Sequence, residues 1–440
     1  MDEQIARSKA SASSDEVNAR LRRRSVFAVA AGNMLEFYDF AAYSSLAPIL
    51  GPIFFPVDNP ITALIASLSV FAVGFFARPL GAIVFGRLGD IKGRRFALFV
   101  VITLMGASTL LIGVMPTYAS AGILAPILLV TVRIAQGLSL GGEFGTSVSY
   151  LVEIAPRGKR GLYGSLVYLT SQLGFALGLA IVYGGNIVLG AESMSAWAWR
   201  VPFMLSLPLV LIGMYLRSRT VETPAFSILA SEHQLAESPV TSAVKTKLGA
   251  MARVLGLMVA FTFISYTVLA FVLSYLLVVR KVPGSVAYPS LLLLTVISAL
   301  LTPVVGALSD RWGRRPLLIG GAVFQIVFSV PAFFLMDSGG FAAITAGQCL
   351  LWIPNIIFSG GFPAVYAELF PTRLRSTGVN ISVAVATAIF SGTTPLVMTL
   401  LVQTTGSHIA PALYLIGGAV VTLGFLWTLP ESAHGELPST

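Results

Sequence analysis

Charge is what this chain has least of. Only 11% of its 440 residues are Asp, Glu, Lys or Arg, against 56% hydrophobic, and the mean hydropathy is +0.85. That balance excludes an ordinary water-soluble globule. Cysteine is scarcer still: Cys349 stands alone, so no disulfide can close within the chain, and it reads as a small packed residue. The three histidines, His233, His408 and His434, are far apart and give neither metal-ligand spacing nor a catalytic triad. The glycine-rich run LSLGGEFG (138–145) lacks the lysine and the strand-to-helix setting of a phosphate loop. No enzyme, metal site or cofactor is expected.

Long apolar runs are abundant. Each is roughly 20 residues, enough to cross a hydrocarbon core of about 30 Å as a helix. Twelve are predicted, at 25–50, 61–86, 96–115, 122–152, 161–188, 201–217, 250–279, 288–309, 316–336, 341–367, 376–402 and 409–429. The chain therefore reads as an all-α polytopic membrane protein. Residues 1–24 are polar, and the run behind them is longer than a signal-peptide core and has no clear cleavage site, so the first span is expected to be retained.

A net charge of +9 would suggest nucleic acid if the basic residues were clustered on a soluble face. They sort by membrane side instead. With the N-terminus inside, 23 of the 28 Lys and Arg fall in or at the edges of cytoplasmic segments, while Arg200, Arg280 and Lys281 lie outside. The bias predicts both termini in the cytoplasm of a cell (inner) membrane protein, a bilayer as the partner and no nucleic acid.

The chain also repeats itself. GRLGDIKGRR (86–95) returns as GALSDRWGRR (306–315), and VEIAPRGKRG (152–161) as AELFPTRLRS (367–376). Two ordered matches at equivalent places predict duplication: a half at 25–217, a cytoplasmic linker at 218–249, a second half at 250–429, and tails at 1–24 and 430–440. Glycine permits close helix approach, while Asp and Arg can form breakable ion pairs. Asp90, Arg94, Glu153, Arg160, Asp310, Arg314, Glu368 and Arg375 are accordingly expected to latch the halves, with Arg78 placed at the gate or in a cavity. The alternative is that these arginines anchor loops at anionic lipid, which would leave the acids Asp90 and Asp310 unexplained.

Gly86 to Arg95 and its copy resemble the signature loop of the major facilitator superfamily. GNMLEFYDF (32–40), RPLGAIVFGRLGD (78–90), RIAQGLSLGGEFG (133–145), WAWRVPF (197–203), RSRTVETPAF (217–226) and AELFPTRLRSTG (367–378) resemble its metabolite:proton symporters, which carry citrate, α-ketoglutarate, shikimate, proline or betaine. ATAIFSGTTPL (386–396) looks most like the citrate carriers. The family's Tyr-x-Ser-Trp-Gln-Gln run is here Tyr163 to Tyr168 without the indole and amides, which leaves the substrate open. The resemblance implies alternating access between two pseudo-symmetric six-helix halves, driven by protons. A monomer is expected.

Charge in lipid is expensive, about 2.5 to 3.5 kcal/mol per residue at mid-depth, so intramembrane ions should face the interior. At about 1.5 Å per residue from Ser25, Glu36 lies about 16 Å deep and Asp39 about 21 Å. Asn33, Glu36 and Asp39 share a stripe, and Arg133 falls to a similar depth on the fourth span, above Gln136 and Glu143. One reading is that Arg133 grips a substrate carboxylate while Glu36, Asp39 or Glu143 carries the proton. The other is a permanent structural pair. Asn33, Glu36, Gln136, Tyr168, Gln172, Tyr266 and Asn380 are the further substrate candidates. Trp197 and Trp199 beside Arg200 are expected to anchor at the interface. The substrate expected is a small organic acid, a di- or tricarboxylate such as citrate; the alternatives are a zwitterion such as proline or betaine, or a facilitator needing no gradient. A sensor of this fold would need a signalling domain that tails of 24 and 11 residues do not supply.

Overall fold

The computed structural model describes residues 32–92, 94–141, 143–218 and 239–438. The tail at 1–24, the start of the first span and most of the linker lie outside the described residues, as do the side chains of Asp90, Arg94 and Glu143.

The described chain is helical. The membrane helices are α1 (32–54), α2 (Pro60–Phe76, continuing past Ala77 as Arg78–Lys92), α3 (Arg94–Val114), α4 (Leu124–Ser139, resuming as Glu143–Glu153), α5 (Arg160–Ser193) and α6 (Arg200–Met204 and Ser206–Ser218). They continue with α7 (Pro239–Tyr266, extended through π turns at Thr267–Phe271 and Tyr275–Val279), α8 (Gly284–Trp312), α9 (Arg314–Asp337) and α10 (Phe341–Glu368). The last two are α11 (Thr372–Ala386, a π turn at Thr387–Ser391, then Thr393–Thr405) and α12 (Ala410–Trp427). Among the described residues nine helices are long and apolar enough to span a bilayer, and α3 and α6 carry shorter apolar stretches, Phe99–Val114 and Arg200–Tyr215. The helices follow the twelve expected spans with small shifts. The largest is at α7, which begins at Pro239 rather than at 250 and bends at Lys247, while α5 runs on to Ser193 around a positive φ of 80° at Gly190.

Apolar side chains face two ways. One set is fully buried, and another, including Ile83, Leu211, Leu300, Val304 and Trp427, stands more than half exposed on the outside. Scattered over helices that cross a bilayer, that outer set meets acyl chains. Trp199 corrects the interfacial reading: it is fully buried, edge-on to Phe54 with Arg200 over its ring, and only Trp197 is exposed. WAWR is helical, and its alternate positions do not share a face.

Small residues decide which helices touch. A methyl on Gly137 of α4 would overlap the carbonyl of Gly74 on α2, so these two backbones pack directly. That contact sits about one turn from Arg133 and sets its position. Similarly, Gly161 of α5 and Gly306 of α8 face one another with no room for a side chain on either. Helices α7 to α12 pack among themselves, as do α2, α3, α4 and α6, while α5 meets α8 and α10, and α11 meets α2 and α4.

Candidate functional site

Two buried ion pairs form a layer inside the helices. Arg133 Nη1 donates to Asp39 Oδ2 at 3.2 Å and to Gln136 Oε1 at 2.8 Å. Asp39 Oδ1 also accepts from the Thr109 hydroxyl at 2.9 Å and from Gln136 Nε2 at 3.1 Å. Arg78 Nη2 donates to Glu36 Oε1 at 3.0 Å. All four charged residues are 7% exposed or less. The layer thus holds two positive and two negative side chains on α1, α2 and α4.

Arg133 is only half used. Its guanidinium carbon lies 3.6 Å from the centre of the Tyr43 ring, while Nε and Nη2 are buried without a hydrogen-bond partner. A buried guanidinium with its donors unmet is costly, and a planar carboxylate satisfies two of them at once. Arg133, Arg78, Asp39 and Gln136 line a cavity of about 20 Å³ with Phe40, Phe71 and Phe75. That is room for a single water. A second cavity of about 10 Å³ adjoins it across Phe40 and Phe71 and is walled by Phe37, Phe175 and Tyr266. Neither of these two cavities has room for an organic molecule.

The second feature is a cluster of ion pairs on the arginine-rich face, where the latch was expected. Asp310 of α8 accepts from the amides of Gly161 (2.8 Å) and Leu162 (3.0 Å), capping the N-terminus of α5. Arg314 pairs with Asp310 at 2.7 Å and with Glu368 at 3.3 Å. Arg160 reaches Glu368 at 3.8 Å, and Arg375 pairs with Glu153 at 2.7 Å. These contacts join α4 and α5 to α8, α10 and α11. The C-terminal residues lie across them: Glu431 accepts from the amides of Arg314 and Arg315, the Ser432 hydroxyl donates to Glu368, and Arg160 donates to the Gly435 carbonyl. Arg375 donates to the Pro438 carbonyl. Burial alone would raise the pKa of Glu431, but four backbone N–H donors hold it below the usual glutamate range.

Some expected residues stand elsewhere. Arg78, expected at the gate or in a cavity, stands in the central layer and lines its cavity, where pairing with Glu36 satisfies both charges deep in the protein. Asn33, a substrate candidate, turns its amide toward α5, donating to the Val167 carbonyl and the Ser171 hydroxyl. Asn380, also a substrate candidate, bonds the Gly145 amide and the Thr146 hydroxyl near the gate. Tyr168 packs on Phe144 and Phe261 rather than lining either cavity, and Gln172 is buried with Oε1 unpartnered. Tyr266 lines the aromatic cavity. Thr109, Tyr43 and the tail residue Glu431 were not candidates. A hydroxyl or ring within an apolar span, or an acid in a terminal segment, carries no local signal.

A helical membrane core that buries paired ions on α1, α2 and α4, with a second set of ion pairs joining α4 and α5 to α8, α10 and α11, is that of a major facilitator transporter rather than an enzyme. The chain belongs to the sugar (and other) transporter family, which it matches over residues 25–253 and 240–438. It is 36% identical over 430 residues to the proline/betaine transporter of Salmonella typhimurium, covering 94% of this chain and 85% of that one. To the glycine betaine/proline/ectoine/pipecolic acid transporter OusA of Dickeya dadantii it is 36% identical over 434 residues, covering 94% and 84%. To the ectoine/proline transporter ProP of Corynebacterium glutamicum it is 32% identical over 440 residues, covering 96% and 87%. The expected likeness of ATAIFSGTTPL to citrate carriers finds no support among these relatives, since a short stretch in one helix says little beside the whole chain. The fold also matches the proton:xylose symporter XylE bound to 6-bromo-6-deoxy-D-glucose, with a TM-score of 0.75 at 18% identity over 96% of this chain and 98% of that one.

Proposed function

We propose that the chain is a proton-coupled carrier that takes up a zwitterionic osmolyte of the proline or betaine kind, rather than a di- or tricarboxylate. The names of its relatives support this, and so does the charge of the central layer. A polyanion would meet Asp39 and Glu36 as well as the arginines, whereas a zwitterion brings one charge of each sign to a layer that is already balanced. The observation that carries the reading is Arg133, buried beside Asp39 with Nε and Nη2 unpartnered.

The same geometry suggests the coupling. A substrate carboxylate on Nε and Nη2 puts a second negative charge on a guanidinium that Asp39 already shares. Two carboxylates on one cation are relieved when one takes a proton. Asp39 is the acid in reach, so substrate and proton favour one another's binding, and loss of the proton returns Arg133 to Asp39 and drives the substrate off. Glu36 and Arg78 hold the neighbouring helices in place. Both termini are cytoplasmic in this reading, the arginine-rich gate faces the cytoplasm, and the halves at 25–217 and 250–429 rock about the central layer.

Uptake of labelled betaine and proline into vesicles tests the reading. An imposed proton gradient should drive accumulation, and a protonophore should abolish it. Asp39→Asn should lose accumulation but retain exchange of internal for external substrate. Uptake indifferent to the protonophore removes the coupling, and citrate uptake without betaine or proline uptake removes the substrate class.

A further inference from the structure

We infer that the aromatic cavity beside the arginines is the seat of a methylated quaternary ammonium group; this rests on the zwitterion reading above and deepens it. Five rings wall that cavity, Phe37, Phe40, Phe71, Phe175 and Tyr266, drawn from α1, α2, α5 and α7. The rings stand as walls rather than as a stack. Phe40 is 5.7 Å from Phe71 at 79°, and 6.5 Å from Tyr266 at 78°. No charged side chain lines this cavity, and Ser44 adds one small hydroxyl.

Ring faces attract cations, most strongly where water is excluded. Phe40 already does so here: the Arg78 guanidinium carbon lies 5.1 Å from its centre and 4.5 Å from that of Phe75. The chemistry of the walls then selects the cation. A primary or secondary ammonium entering the cavity would leave N–H donors short of acceptors, at a large desolvation penalty. A trimethylammonium group has no N–H to satisfy and presents its charge on methyl surfaces that fit against rings. Across Phe40 and Phe71 lies the cavity lined by Arg133, whose Nε and Nη2 are unpartnered. Once the helices part enough to widen both spaces, a carboxylate on Arg133 and a quaternary ammonium among the rings place the two ends of one small betaine at adjoining positions. The π turn at Thr267–Phe271, directly after Tyr266, breaks the regular α7 ladder at the wall joining the two groups of helices.

The full-length protein in lipid nanodiscs tests this by equilibrium binding of glycine betaine, proline, and 3,3-dimethylbutanoate, in which a neutral tert-butyl group replaces the trimethylammonium at equal shape. Betaine should bind about tenfold or more tighter than the neutral isostere. Phe71→Leu, which keeps apolar bulk but removes a ring, should weaken betaine about tenfold and leave the isostere nearly unchanged, while Phe71→Tyr retains betaine. If Phe71→Leu does not purify as a folded protein, the wild-type comparison of betaine with its isostere decides alone. Equal binding of betaine and isostere, or equal losses for both in Phe71→Leu, overturns the assignment. Should proline bind while methylation adds nothing, the aromatic seat falls and the osmolyte reading stands. Should neither betaine nor proline bind the wild type, both fall.

Discussion

At the scale of single residues, buried charge is tolerated here only in pairs. Removing one member of such a pair leaves the other stranded, a loss of about 3–5 kcal/mol, whereas removing both can be nearly neutral. Glu36→Gln or Arg78→Gln alone should therefore lower the thermal unfolding midpoint clearly, and the double substitution should recover most of it. A double variant as unstable as the sum of the singles would show that the 3.0 Å contact is not the relevant coupling. Arg133→Lys keeps the charge but not the planar fork, so substrate affinity should fall by tenfold or more with the protein still folded, as judged by binding to the purified carrier. The Arg133–Asp39 pair was legible in the sequence because depth along two helices can be counted at a fixed rise per residue. The Glu36–Arg78 pair was not, since pairing across helices depends on how each is rotated about its axis. Thr109 and Tyr43 were hidden for the same reason: they matter only through their contacts with Asp39 and Arg133.

At the scale of elements, the repeated loop shows which interactions a duplicated motif supports. Asp310 is a helix cap supplied from a different helix, so in the proposed gate closure completes the N-terminus of α5. Gly161 and Gly306 allow the approach, and Gly161→Leu should hold α5 and α8 apart. Labelling of a cysteine placed at Ser165 should then rise from slow to rapid; unchanged labelling would show that α5 and α8 part there regardless. The terminal segment supports the same closure through Glu431, whose carboxylate accepts from the first amides of α9. A carboxyl held below its usual pKa stabilises the folded form above the unfolded pKa and loses that contribution as the pH falls through the folded one. Hydrogen-exchange protection of the Arg314 and Arg315 amides, corrected for intrinsic rates, should thus be constant at neutral pH and drop only below about pH 4. In Glu431→Gln it should already be low at pH 7. The ion-paired loops were legible because they recur in the same order in each half, and Asp310, Arg314, Glu368 and Arg375 of the second copy form the pairs described. The tail was not, because its partners are far away in sequence and nothing in ESAHGELP marks a docking segment.

At the scale of the whole molecule, contacts across the gate and a cavity too small for substrate together imply that transport requires the two groups of helices to part. The gate provides a direct way to forbid that motion. Thr146 of α4 and Ser376 of α11 stand hydroxyl to hydroxyl at 3.1 Å, near the Asn380 bond to Gly145. Side-chain atoms this close put the two positions within disulfide reach. Cys349 is the one native cysteine, so Cys349→Ser gives a background in which only introduced thiols react. In that background Thr146→Cys with Ser376→Cys should crosslink under mild oxidation and lose uptake almost completely. Reductant should restore it, and neither single cysteine should respond. The crosslinked carrier should still bind substrate from the opposite face if the gate is one of two alternating barriers. Uptake that persists after full crosslinking would mean that this gate never opens during the cycle, and the rocking of two halves about the central layer would have to be abandoned.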